Sequence, residues 1–237
     1  MVPPSLFILT GAGLSAESGL GTFRDVDGLW TSFRVEDYAT SEAFARDPLK
    51  VQGFYNARRR NLMGASPNAA HMALAALQKA WNARGGRVTL CTQNVDDLLE
   101  MAGAAEVVHM HGELKKAWCL ACDGRSAWET DLGPGAVCPQ CGKAGGLRPD
   151  VVWFGEFPYH MDLITQRLEA AELFVAIGTS GSVYPAAGFV RTATARGMPT
   201  MEINLEPSDN AQAFSTRSYG PATETVPAWT KAMIGTL

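Results

Sequence analysis

"SLFILTGAGLSAESGLGTFRD" (residues 5–25) is the stretch whose reading decides the fold. Ser5–Thr10 is a short apolar run of the kind that forms a buried strand, and it ends at Gly11. Gly11, Gly13 and Ala16 then take the G-x-G-x-x-G/A spacing. A strand entering such a turn opens a βα unit. The glycines allow a tight turn and close approach of backbone to a phosphate, and a following helix would aim its first N–H groups at the anion. The plainer reading is a tight strand–helix turn with no ligand. An ordinary dinucleotide fold adds a strand ending in Asp or Glu about 20 residues later. Here that place holds "TFRDVDGLWTSF" (22–33), which is not strand-like. An acidic residue at a strand end comes instead in "EINLEP" (202–207), where Asn204 and Glu206 are candidates for ribose hydroxyls. The pattern points to a nucleotide binder that is not an ordinary dehydrogenase.

Outward from this turn the chain alternates. Strand-like runs fall at 87–93, 106–110, 172–179 and 199–206. Helical patterns fall at 67–82, 94–102, 160–170, 185–195 and 227–236. That alternation predicts an α/β fold, a Rossmann-like doubly wound parallel sheet. Two segments break the rhythm: 27–65, polar and helical, and 112–150, rich in glycine and cysteine. They are expected to form a smaller lobe, a helical module and a metal-binding module. Residues 1–26, 66–111 and 151–237 would then make the large domain.

Lys and Arg total 20 against 24 Asp and Glu, a formal charge of −4, so nucleic acid is not expected as a direct substrate. No apolar run is long enough to cross a membrane. The amino end lacks the basic region and cleavage site of a signal peptide, so a cytoplasmic protein is expected. Five cysteines, an odd number, suit a metal site in a reducing compartment better than a disulfide framework. Four of them form Cys119-x2-Cys122, fifteen residues, then Cys138-x2-Cys141, the spacing of a four-thiolate zinc site. Four thiolates leave no position for water, so the zinc should be structural. Lys115, Lys116, Arg125 and Lys143 lie nearby and are expected to offset the thiolate charge.

Three polar clusters follow predicted strands: "CTQNVDDL" (91–98), "HMHGEL" (109–114) and "GTSGS" (178–182). Side chains at the carboxyl ends of parallel strands face the ligand crevice. Gln93, Asn94 and Asp96 are hydrogen-bonding groups without an obvious nucleophile. A histidine there is a candidate general base, and spacing alone does not choose between His109 and His111. His71 and His160 are read as structural.

Together these motifs, with "VVWFGE" (151–156), "GTSGSVYPAAGF" (178–189) and "INLEPS" (203–208), make the chain resemble the sirtuins nearly end to end. Sirtuins are NAD-dependent protein-lysine deacylases, and the similarity is greatest to compact bacterial members. The resemblance implies NAD as cosubstrate, one structural zinc, acyl-lysine proteins or peptides as partners, and a cleft between a Rossmann-like domain and the small lobe. By resemblance, Ala12, Gly13, Phe23 and Arg24 line the NAD pocket, and Ser180, Asn204 and Glu206 hold the adenosine half. Gly11, Ser15, Trp30, Gly178, Thr179, Leu205 and Ala222 complete the cofactor-binding set. Gln93, Asn94 and Asp96 position the nicotinamide ribose and amide. His111, directly before glycine, is implied as the catalytic base, with Asn94 and Asp96 beside it in the catalytic group. "VVWFGE" is implied to pair with the substrate peptide, Val152, Trp153 and Phe154 forming the acyl-lysine tunnel.

The implied chemistry has the acyl oxygen attack C1′ of the nicotinamide ribose and His111 deprotonate the ribose hydroxyls. Nicotinamide is expelled from C1′, the 2′-hydroxyl takes the acyl carbon, water then frees lysine and O-acyl-ADP-ribose, and no Ser, Cys or Lys triad is required. Two departures stand out: Leu99 where many relatives have histidine, and Gly21 where Pro or Arg is common. Within "GFYNARRRNL" (53–62), Tyr55 and Arg58 are three apart and share a helix face. Sirtuins that remove succinyl, malonyl or glutaryl groups carry this Tyr-x-x-Arg pair, so dual deacetylase and desuccinylase/demalonylase activity is expected. Arg59 and Arg60 fit a solvated helix face and are left with surface or packing roles. The alternatives are a mono-ADP-ribosyltransferase and a non-catalytic NAD or ADP-ribose sensor.

Overall fold

The structure is a computed structural model that describes residues 3–21 and 34–236. In chain order its elements begin with β1 (Ser5–Thr10), α1 (Ser41–Arg46), α2 (Pro48–Met63), α3 (Ala69–Asn82) and β2 (Arg87–Thr92). They continue with α4 (Leu98–Met101), β3 (Val107–His109), β4 (Gly112–Cys119), β5 (Arg125–Ala127) and β6 (Leu147–Val151). The last are α5 (Met161–Glu169), β7 (Leu173–Ile177), α6 (Phe189–Ala195), β8 (Thr200–Asn204), β9 (Thr216–Tyr219) and α7 (Ala222–Ile234).

A six-stranded sheet runs in the order β3-β2-β1-β7-β8-β9, and every neighbouring pair is parallel. Strand alternation in β1 sets the two faces. Leu6 and Ile8 enter one core with Leu74, Leu77 and Trp81 of α3 and Val226 of α7. Phe7 and Leu9 enter the other with Ile164 and Leu168 of α5 and Phe189 and Val190 of α6. Helices on both faces make the sheet doubly wound, as the alternation predicts. The strand order reverses direction between β1 and β7, and the chain leaves both strands at the same edge, where a crevice opens.

Residues 112–151 build a separate three-stranded antiparallel sheet, β5-β4-β6. Its small core holds Ala117, Leu132, Leu147 and the cysteines Cys119 and Cys138. Helices α1 and α2 pack in a third core with Leu98, Leu114, Val151 and Trp153. Asp47 starts α2, its carboxylate accepting from the Lys50 N–H at 3.0 Å ahead of Pro48.

Two expectations change. The helix predicted directly after the first glycine turn is instead two single 3₁₀ turns, Ala12–Leu14 and Ala16–Ser18. The Gly13 N–H donates to the Gly178 carbonyl at 2.9 Å, so its glycine serves close packing of two loops rather than presenting an anion-binding N–H. A Cβ on Gly178, at φ +64°, would lie 2.5 Å from the Leu14 nitrogen. The helix expected over 94–102 is confined to Leu98–Met101. The Asn94 N–H turns back to Thr92 Oγ1 at 3.0 Å, and Asp96 Oδ1 accepts from the Leu98 N–H at 3.2 Å, so the polar residues form a loop.

Candidate active site

A cavity of about 680 Å³ opens at the carboxyl ends of β1, β2, β7 and β8. One wall is Gly11, Ala12, Gly13 and Ser15 after β1, Gly178, Thr179 and Ser180 after β7, Asn204, Leu205 and Glu206 around the end of β8, and Ala222 at the start of α7. The floor is Gln93, Asn94 and Asp96 after β2, with His111 between β3 and β4. The far wall is Tyr55 and Arg58 of α2 with Val152, Trp153 and Phe154 after β6. Every described residue singled out for the nucleotide or substrate therefore lines one space. Phe23, Arg24 and Trp30 lie outside the described residues.

Asn204 ties the loops together: its Nδ2 donates to the Thr179 carbonyl at 2.8 Å and its Oδ1 accepts from the Leu205 N–H at 3.0 Å. Ser180 Oγ lies 2.8 Å from Ser182 Oγ. The cavity size, the paired glycine loops and the polar groups suit a nucleotide.

The floor is a hydrogen-bond chain whose protons can be assigned from the partners. Asn68 caps α3, and its own N–H donates to His71 Nδ1 at 3.3 Å, so the His71 proton sits on Nε2. That proton faces Ser15 Oγ at 3.2 Å, and the Ser15 hydroxyl donates onward to Asp96 Oδ2 at 3.0 Å. Asn94 Nδ2 donates to Ser15 Oγ and to the Gly11 carbonyl, each at 3.1 Å. Burial pushes the His71 pKa down to about 4 and that of Asp96 upward. His71, read as structural, is thus buried yet belongs to the layer that holds Asp96. Its signal was the N-cap spacing Asn68 to His71.

Geometry separates the two histidines that spacing leaves open. His109 commits both nitrogens, Nε2 to Glu100 Oε1 at 2.7 Å and Nδ1 to the Asn94 carbonyl at 3.3 Å. Both partners accept, so both nitrogens donate in the imidazolium. Burial lowers its pKa, but the bond and charge of Glu100 outweigh this and the net direction is upward. His111 donates Nδ1–H to the Gln93 carbonyl at 3.1 Å, which leaves the Nε2 lone pair without a partner among the described residues. Burial lowers the His111 pKa, so the ring is neutral near pH 7. Gly112 follows at φ +79°, where a Cβ would run into the Asp150 carbonyl, so only glycine lets β4 start against β6 there.

In the far wall, Trp153 Nε1 donates to Tyr55 Oη at 3.0 Å, and Phe44 packs tilted against Trp153 with centroids 5.2 Å apart. The Tyr55 phenol can still donate its own proton. Burial raises its pKa to about 12, although the Arg58 charge pulls it down. Burial lowers the Arg58 pKa, while Tyr55 and Asp96 favour its charged form. Arg58 also sits 5.7 Å from the Phe54 ring centre.

Of the two neighbouring arginines, Arg60 is exposed as expected and Arg59 is not. Arg59 is 1% exposed, not solvated: it donates to the Leu114 carbonyl and Asn56 Oδ1 at 2.9 Å each and to the Thr130 carbonyl at 3.2 Å. Arg60 is exposed and pairs with Asp131 at 2.5 Å.

The four sulfurs of Cys119, Cys122, Cys138 and Cys141 lie within 4.8 Å of one another. Cys119–Cys141 and Cys122–Cys138 are each 3.8 Å apart. A tetrahedral zinc with sulfurs at about 2.3 Å needs sulfur separations of about 3.8 Å, so the cage fits that ion. The two Cys-x2-Cys turns match: Asp123 N–H returns to the Cys119 carbonyl and Gly142 N–H to the Cys138 carbonyl, at 2.9 Å each. Three of the four nearby cations pair with carboxylates. Lys115 pairs with Asp97 at 2.8 Å, Lys116 with Glu113 at 2.5 Å and Arg125 with Asp150 at 3.2 Å.

Leu99 is 4% exposed in the core with Leu74 and Ala104, and Gly21 lines the cavity rim. Among the described residues no helix is long and apolar enough to cross a membrane.

Residues 11–185 match the Sir2 family profile. The chain is 58% identical over 232 residues to a protein of Caulobacter vibrioides named NAD-dependent protein deacylase, covering 98% of each. A protein of the same name from Escherichia coli strain K12 is 52% identical over 236 residues, 99% of this chain and 84% of the relative. Among solved structures, a Sir2 homologue–NAD complex superposes with a TM-score of 0.88 at 38% identity, covering 98% of this chain and 90% of that one.

Proposed function

The chain belongs to the Sir2 family and is an NAD-dependent protein deacylase, and from that premise we propose that it removes both acetyl and acidic acyl groups, succinyl and malonyl, from protein lysines. The observation that carries the acidic half is the Tyr55–Arg58 pair, a phenol and a guanidinium on the same cavity wall as Trp153. A guanidinium fork with a tyrosine hydroxyl beside it matches a carboxylate, and each charged hydrogen bond contributes about 1.5–3 kcal/mol. An acetyl group carries no carboxylate for these donors and would rest on the apolar part of the wall, which is the basis for dual activity.

The roles of the remaining residues follow from their chemistry. Trp153 and Phe154 enclose the acyl-lysine stem and exclude water. Asn94 and Asp96, held by Ser15 and His71, orient the reacting ribose. Bound NAD supplies the ribose carbon that accepts the acyl oxygen and the hydroxyl that finally carries the acyl group. His111 is the general base: Nδ1–H stays on the Gln93 carbonyl, and Nε2 takes the proton of a ribose hydroxyl. With one water consumed in releasing the lysine amine, the products are free lysine, nicotinamide and O-acyl-ADP-ribose. The four cysteines hold a structural zinc, and residues 34–65 and 112–150 act as the small lobe over the cleft.

Incubation with NAD and matched acetyl- and succinyl-lysine peptides tests this reading, with peptide mass and nicotinamide release followed together. Both peptides should lose their acyl mass, with one nicotinamide released per acyl group. A protein that clears neither, or that transfers labelled ADP-ribose to protein side chains instead, contradicts it.

A further inference from the structure

The small sheet carries an ordered row of side chains that ends on the tunnel. Trp118 on β4 is the cross-strand partner of Arg125 on β5 and of Arg148 on β6, so the three stand on one face of the sheet. The guanidinium carbons of Arg125 and Arg148 lie 4.6 and 4.9 Å from the Trp118 ring centre. At one end Arg125 also lies 5.3 Å from the Tyr159 ring, and Asp150 accepts from both Arg125 Nε and Tyr159 Oη. At the other end the Arg148 guanidinium lies 3.3 Å from the Trp153 ring centre. Aromatic rings and cations therefore alternate from Tyr159 to Trp153.

Arg148 is 3% exposed and does not line the cavity. Its fork donates to Glu156 from Nη1 at 2.5 Å and from Nη2 at 3.0 Å, and Nη2 also donates to the Val151 carbonyl at 2.8 Å. Glu156 in turn accepts from the Trp153 N–H at 2.8 Å and from Ser41 Oγ on α1 at 2.9 Å. One guanidinium thus fixes the Trp153 ring, the backbone on both sides of it and, through Glu156, the start of α1.

We propose that Arg148 is a positioning residue for acyl-peptide binding: it transmits the rigidity of the small sheet, through the Trp118–Arg148–Trp153 row, to the 151–156 segment that meets the substrate. This rests on the deacylase reading, in which that segment receives the acyl-lysine. Without Arg148 the Glu156 carboxylate loses its fork, and the Trp153 ring loses the surface that holds it. Among the described residues, Arg148 bonds to and stacks on none of the nucleotide wall, so its effect falls on the peptide side. Arginine, rather than lysine, is needed because only a planar fork can stack on indole while bonding a carboxylate and a carbonyl.

Equilibrium binding to the full chain tests this, using a fluorescein-labelled acetyl-lysine peptide without NAD and, separately, NAD alone. In Arg148→Met the peptide Kd should rise about tenfold or more while the NAD Kd stays within about twofold. An unchanged peptide Kd, or an equal loss of both ligands, overturns the proposal. Should Arg148→Met fail to fold, Trp118→Leu removes one face of the row and leaves the Glu156 fork intact. There a selective peptide loss of about threefold or more supports the proposal, and wild-type affinity overturns it. Wild-type protein that binds no peptide also overturns it. Wild-type protein that binds the peptide but never turns it over with NAD contradicts the deacylase reading and leaves the Arg148 result standing.

Discussion

Three consecutive arginines on α2 separate into three physical roles. Arg59 is buried with three hydrogen bonds to Leu114, Asn56 and Thr130, and its Nη2 is buried without a partner. Arg59→Ala strips two carbonyls and an amide of a charged donor and should destabilise the fold by about 3 kcal/mol in a urea melt. Arg60→Ala breaks an exposed pair and should change stability by less than about 0.5 kcal/mol. The sequence alone does not distinguish these two, because burial of an arginine depends on what packs above the helix. His71 gives a pH signature. Its folded pKa of about 4 lies below the unfolded value of about 6.5, so the unfolded chain takes up a proton first as pH falls. The neutral-His71 contribution is complete above about pH 6.5 and declines toward pH 4 by up to about 1.4 kcal/mol per unit. Melts of wild type and His71→Asn across that window should converge at low pH; parallel curves would mean His71 does not titrate there.

At the scale of elements, legibility followed the strength of the local pattern. β1, β2, β7 and β8 are apolar runs closed by turn residues, and their extents differ from expectation only at the ends. β9 had no such signal: "TRSY" is mostly exposed and becomes a strand only by pairing with β8 at the sheet edge. α7 begins at Ala222, five residues ahead of expectation, because Pro227 reads as a start when it lies within the second turn. The zinc module was legible from four cysteines, but its sheet was not, since short strands rich in polar residues carry little periodicity. Two of its five core residues are zinc-ligand candidates, so metal and fold should be lost together. Purified protein should hold one zinc, absent from Cys138→Ser. Limited proteolysis after gentle chelation should cut within 120–146 while β1 and β2 stay intact. An unchanged digest would mean the sheet stands without metal.

At the scale of the whole molecule, loops distant in sequence converge on one cavity, and each described residue assigned to the nucleotide or the substrate lies on its surface. What the sequence did not carry is the supporting layer. His71 beneath Ser15, Glu100 on His109 and Arg148 behind Trp153 act through other side chains, and no single motif names such contacts. The same convergence brings a cation, Arg58, to the cavity wall that also carries Tyr55, Trp153 and Phe154, and the proposed acidic-acyl removal rests on that placement. Steady-state turnover of matched acetyl- and succinyl-lysine peptides by wild type and Arg58→Met tests it most directly. Loss of two charged hydrogen bonds predicts a fall of about 100-fold or more in kcat/KM for the succinyl peptide, with the acetyl peptide within about threefold of wild type. An equal fall for both peptides would contradict the claim and leave Arg58 as a residue that only holds the fold.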